Sequence, residues 1–191
     1  MRPSGGPGVP SRSPNPKDRP LGPEAFGDRV TSVTEDMRDP AAYAADIDAA
    51  RERMIAFATN CSEEEWRSAP LDGDPRPVAV VVDHVAHAYD YLAGWMRQMV
   101  AGQQVEVNGD VVDALNAQHA REAAAVSKAD ATGHLRRSGE AISGLVAVMS
   151  AADLAAGEGR VRRLAQVAAR HADDHRADIE AALFARGIRR G

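Results

Sequence analysis

Pro77 is the last proline in the chain, so residues 78–191 contain no proline to interrupt a helical hydrogen-bond ladder, which suits a helical bundle. Seven of the eleven prolines fall instead within residues 1–38, among glycines and serines and with almost no periodic apolar pattern. A segment of that kind buries too little surface to offset its ordering entropy and is expected to be a disordered or loosely packed tail. With 191 residues the chain has room for one domain with a substantial core, assigned here to residues 39–187, and not for two. Aromatic residues make up only 4% of the chain, and alanine is abundant, which favours helices over a sheet.

The apolar spacing divides this domain into four main helices. Asp39 and Pro40 suit an N-cap and first helical position, and Tyr43, Ile47, Ala50, Met54 and Phe57 then recur on one face through Thr59. Ser62 followed by Glu65 reads as a capping box that opens a short turn ending near Trp66 and Ser68. Pro70, Pro75 and Pro77 with Asp72-Gly73-Asp74 mark a loop, with Pro77 as the first residue of the second main helix, which runs to Val100. Its opening valines could belong to a strand, but the stripe of Val81, Val85, Ala88, Leu92, Trp95 and Met99 decides for helix.

Gly102 to Gly109 breaks the pattern, with Val105 and Val107 as an extended connection. Asp110 is expected to cap a short segment to Ala125, with Val112, Leu115, His119 and Glu122 on one face. A third main helix from Lys128 or Ala129 to Met149 carries Leu135, Ile142, Leu145, Val146 and Met149. Ala151 to Gly159 reads as a turn and Val161 to Arg186 as the fourth main helix, with the last residues fraying. Four helices joined by connections longer than tight hairpins predict an all-α four-helix bundle.

Composition excludes several classes of function. The net charge of -5, without a concentrated basic face, argues against nucleic acid as a partner. No apolar run is long enough for a membrane span and the N-terminus lacks the apolar core of a signal peptide, so a soluble, cytoplasmic protein is expected. Cys61 is the only cysteine, which rules out an intramolecular disulfide. The acidic run Glu63 to Glu65 disfavours its thiolate, so it reads as passive. A dinucleotide-binding fingerprint and a phosphate-cradling glycine loop are both absent.

The chemistry lies in the histidines. His171 and His175 stand four residues apart on the last helix, on the face that carries Val161, Leu164, Ala168, Ala172, Ile179 and Ala182, so two imidazoles can approach one ion without distorting the backbone. His84 falls on the line of Val81, Ala88, Tyr91 and Trp95 in the second main helix and faces the bundle. His87 lies further round, toward Val80 and Gly94, and is the rival ligand. Three neutral imidazoles suit zinc, nickel, iron or another borderline cation and leave coordination positions open, as catalytic sites require. Neither the paired E-x-x-H motifs of di-iron bundles nor the zincin H-E-x-x-H occurs. His119 and His134 are expected at the surface or at helix ends. Asp83, Asp173 and Asp174 are expected to be solvated, with one of them free to orient a ligand imidazole. Tyr89, Tyr91 and Trp95 read as core or pocket wall.

From Trp66 onward the chain resembles the DinB-like superfamily of metal-binding four-helix proteins, which includes thiol-dependent S-transferases and the N-terminal domain of mycothiol-dependent maleylpyruvate isomerase. The resemblance rests on Val80-Val81-Val82-Asp83-His84-Val85 in the second main helix. It rests equally on His171-Ala172-Asp173-Asp174-His175-Arg176-Ala177-Asp178-Ile179 in the last. It implies a divalent metal ion, zinc or nickel above others, held by His84, His171 and His175. It further implies a low-molecular-weight thiol such as mycothiol as cofactor and a small-molecule substrate, hence a metal-dependent S-transferase. Arg76 and Pro77 stand where relatives carry a tryptophan and a hydroxyl residue. The isomerase branch has E-x-x-x-H on its last helix and a second domain, so isomerase activity is not implied. The alternatives are a non-catalytic, stress-associated metal-binding bundle, a homodimer through an apolar helix face among them, and a hydrolase using metal-activated water.

Overall fold

The computed structural model describes residues 38–189, in which seven helices and no strand account for 75% of the residues. The tail assigned to residues 1–38 lies outside the described residues, apart from Arg38, which pairs with Asp46. The first helix, α1 (Pro40–Asn60), is capped by the Asp39 carboxylate, which accepts from Ala41 N at 2.8 Å, and it buries Tyr43, Ile47, Ala50, Met54 and Phe57. The short α2 (Glu63–Arg67) has the expected capping box: Ser62 Oγ accepts from Glu65 N, and Glu65 Oε2 accepts from Ser62 N at 2.6 Å.

Helix α3 spans Val78–Val100, and Pro77 is its N-cap rather than its first residue. The reason is local: Val78 N donates across the loop to Ser68 O at 2.9 Å while Pro77 stays extended at ψ 157. Residues Val78 to Ala86 are all buried, which accounts for the unbroken apolar run Val78 to Val82 where an amphipathic stripe would leave polar positions. Helix α4 (Gly109–Glu122) is capped by Asn108, not Asp110, because Asn108 Oδ1 reaches Val111 N at 3.0 Å. Only Val112 and His119 of α4 are buried.

Helix α5 (Lys128–Ala147) follows an Ser127 cap. The expected turn after it contains a further helix, α6 (Ala151–Ala155), closed by its own capping box between Ser150 and Asp153. Gly157, Glu158 and Gly159 then take left-handed φ angles of 60°, 60° and 76°, reversing the chain into α7 (Arg160–Ala185). Glycine tolerates that conformation, and Gly157 also has Met99 Sδ at 3.2 Å from where a Cβ would stand.

Helices α1 and α3 each pack against both α5 and α7, so α1 faces α3 across one diagonal of the bundle and α5 faces α7 across the other. The connections from α1 to α3 and from α5 to α7 therefore cross the bundle, and only α3 and α5 are both consecutive and adjacent among the four long helices. This arrangement brings the first half of α3 against α7. No helix among the described residues is long and apolar enough to cross a membrane.

Candidate metal centre

His84 lies in the second turn of α3, and His171 and His175 occupy successive turns of one face of α7. The contact between these two helices brings the three rings together. One nitrogen of each lies within 4.8 Å of the others, and the ring centroids are 5.3 Å (His84 to His171), 5.3 Å (His84 to His175) and 4.6 Å (His171 to His175) apart. His84 and His171 are buried and His175 partly so.

Burial is the main reason these rings carry no charge. It pushes His84 and His171 well below the ordinary imidazole value and His175 down to about 4, and the nearby positive charge of Arg76 adds to the effect on all three. Arg76 is itself fixed by Asp74, whose carboxylate accepts from Nε at 3.0 Å and Nη2 at 2.7 Å. Neutral imidazoles are the form that ligates a cation. His84 Nδ1 and His171 Nε2 are buried without any hydrogen-bond partner. Leaving a buried polar atom unpaired costs about 1 to 3 kcal/mol, and a shared cation would relieve it for the nitrogens turned toward it. The donor set thus fits a metal ion, and the three candidate ligands read from the sequence are the three the fold brings together.

His87 does not join them. Its half-buried ring stacks on His119 at 4.6 Å and meets Tyr91 edge-on at 4.5 Å. Tyr91 in turn stacks on Trp95 at 5.9 Å, so these aromatics form a partly exposed row along α3, while Tyr89 is fully buried.

Three expectations about surrounding residues are corrected. Asp83 is not solvated: it is 8% exposed and accepts from two imidazoles, His119 Nε2 and His134 Nδ1, each at 2.9 Å. Burial works to raise its carboxyl pKa, but the hydrogen bonds from His119 and His134 outweigh this and hold it well below the usual carboxylate range. His119 stands at a helix end as expected, in the last turn of α4, but it is buried, at 3% exposure. His134, in the second turn of α5, bridges Asp83 and Asp90, with Nε2 to Asp90 Oδ2 at 2.9 Å. Its hydrogen bonds to those carboxylates, Asp83 first, raise its pKa to about 9. Residues of three helices thus meet on Asp83, a convergence that no spacing within one helix reveals. The one legible signal was the place of His119 on the apolar line of Val112 and Leu115.

Of the other residues singled out, Asp173 pairs outward with Arg53, whose Nε donates to it at 2.9 Å, and Asp174 is exposed. Cys61 is buried, and burial pushes its thiol up to about 11, so it stays protonated beside Arg189.

A family model described as the DinB superfamily matches residues 46–179, a span that contains all three clustered histidines. No curated protein and no solved structure matches the chain.

Proposed function

The chain belongs to the DinB superfamily, and from that premise we propose that it is a metal-dependent thiol S-transferase whose divalent ion, zinc or nickel, is held by His84, His171 and His175. The observation that carries this reading is the cluster of three uncharged imidazoles on two adjacent helices, two of them fully buried and each with an unpartnered nitrogen. When bound, such an ion supplies Lewis acidity that lowers the pKa of a coordinated thiol or water at neutral pH. The chain's own part is to hold the three rings at fixed spacing on rigid helices and to keep them uncharged. Three side-chain ligands leave coordination positions open, whereas structural sites are usually closed by a fourth. A low-molecular-weight thiol of the mycothiol class is the proposed co-substrate, with a small electrophile as its acceptor.

The test is metal content after purification without a histidine tag. The wild type is expected to carry about one ion per chain and His171→Ala to lose it. Thermal shifts with mycothiol, bacillithiol and glutathione then separate a thiol enzyme from a bare metal binder. A metal-loaded protein that none of these thiols stabilises at millimolar concentration would refute the transferase reading and leave the metal site standing.

A further inference from the structure

Beside the histidine cluster stands a guanidinium that the fold uses only in part. Asp74 Oδ2 accepts from Arg76 Nε at 3.0 Å and from Nη2 at 2.7 Å, which fills one edge of the planar group. On the other edge, Nη1 has no hydrogen-bond partner among the described residues, and the side chain is 24% exposed. Closing the turn does not require the guanidinium, because the Arg76 backbone N already donates to Asp74 Oδ1 at 2.9 Å. What the pairing adds is orientation: it holds the fork in one plane, with its second edge left to receive a planar acceptor.

The place of Arg76 gives that edge a use. Its charge acts on His84, His171 and His175 alike, and His175 is the ring of the three that keeps appreciable exposure. A small molecule bound for the open coordination positions therefore approaches over His175 with Arg76 close by. A fixed positive charge near a bound cation opposes it, whereas an anion lying between the two is attracted by both. The ionised Asp74 disfavours a doubly charged phosphate on the same guanidinium, so a singly charged carboxylate matches the charge and the fork better. Resting on the metal reading above, we propose that Arg76 is the specificity-determining residue of the site, and that its edge between Nη1 and Nη2 receives a carboxylate of the small molecule occupying the open metal positions. The carboxylate belongs to the thiol or to its acceptor, and one edge serves for either.

Two pairs of probes that differ in charge alone test this by titration calorimetry on the full, zinc-loaded chain. N-acetylcysteine against N-acetylcysteinamide stands for the thiol, and phenylacetate against phenylacetamide for the acceptor. In at least one pair the acid is expected to bind about tenfold more tightly than the amide, as charge-assisted bonds allow, and that pair names the source. Arg76→Gln is expected to bring acid and amide within about twofold of each other while keeping its zinc. Carboxylates also bind zinc directly, so a preference that survives in Arg76→Gln belongs to the ion and overturns the inference. Equal affinities within both pairs overturn it too. If Arg76→Gln does not fold, nitrogen-15 NMR of the wild-type Arg76 side chain decides. Its Nη signals are expected to separate when the acid binds and to stay averaged with the amide, and signals averaged with both refute the role. A zinc-loaded wild type that binds none of the four probes refutes the inference and leaves the metal site standing, whereas a wild type that retains no zinc refutes both.

Discussion

At the scale of the residue, Asp83 and His134 show how a buried charge is kept tolerable. Each carboxylate oxygen of Asp83 accepts one imidazole N–H, and His134 is shared between Asp83 and Asp90 of α3, with His87 of α3 and His119 of α4 the other titratable groups nearby. Because the folded-state pKa of His134, about 9, lies above its ordinary value of 6.5, its contribution to stability is complete below pH 6.5 and is lost as pH rises through 9. The metal-free protein should therefore show a falling thermal midpoint between those limits, and His134→Gln should flatten the slope; an unchanged slope would refute the assignment. The three clustered histidines were legible as candidate ligands because helical periodicity orders neighbours on one face. Asp83 was not, since its partners lie 36 and 51 positions away on other helices and only the assembled bundle reveals them.

At the scale of the element, close packing of α1 on α5 depends on Gly139, where a Cβ would stand 2.4 Å from Arg51 Cδ and 3.1 Å from Cγ. Those atoms belong to the stem of a buried side chain and cannot swing aside cheaply. Alanine usually gains about 1 kcal/mol over glycine inside a helix. Here overpacking, about 1 to 3 kcal/mol, should win, so Gly139→Ala is expected to lower the urea midpoint. Gly144, on the exposed side of the same helix with nothing within 4 Å, should show the opposite sign on Gly144→Ala. The C-terminal turn offers a second case. Arg189 donates to Glu65 at 2.5 Å, linking the C-terminal turn to α2. Because Arg189 is 27% exposed and Glu65 keeps its bond from Ser62 N, Arg189→Ala should destabilise by only about 1 kcal/mol, a loss readable in the same denaturation experiment. The long helices were readable from their stripes because each presents several turns to the core. Helix α6 was not, since five residues are too few to establish a period, although Ser150 and Asp153 carried its capping signal.

At the scale of the whole molecule, the bundle places the proposed ligands on α3 and α7, which are neighbours in space and separated in sequence by all of α4, α5 and α6. Order along the chain predicted four helices without saying which pairs touch, because crossed connections leave no trace in periodicity. If the three histidines bind zinc in the folded state alone, free zinc at a hundredfold excess over Kd adds about 2.7 kcal/mol. The thermal midpoint should rise by about 5 to 10 °C, and a chelator should reverse the gain. An unaltered midpoint in calorimetry would count against binding at these residues. The crossing of the chain between its two contributions to the cluster has a kinetic corollary. An ion shared by segments almost half the polypeptide apart works as a rivet, because α3 and α7 cannot part while both hold it. The loaded bundle should therefore come apart more slowly than the empty one in a heat challenge.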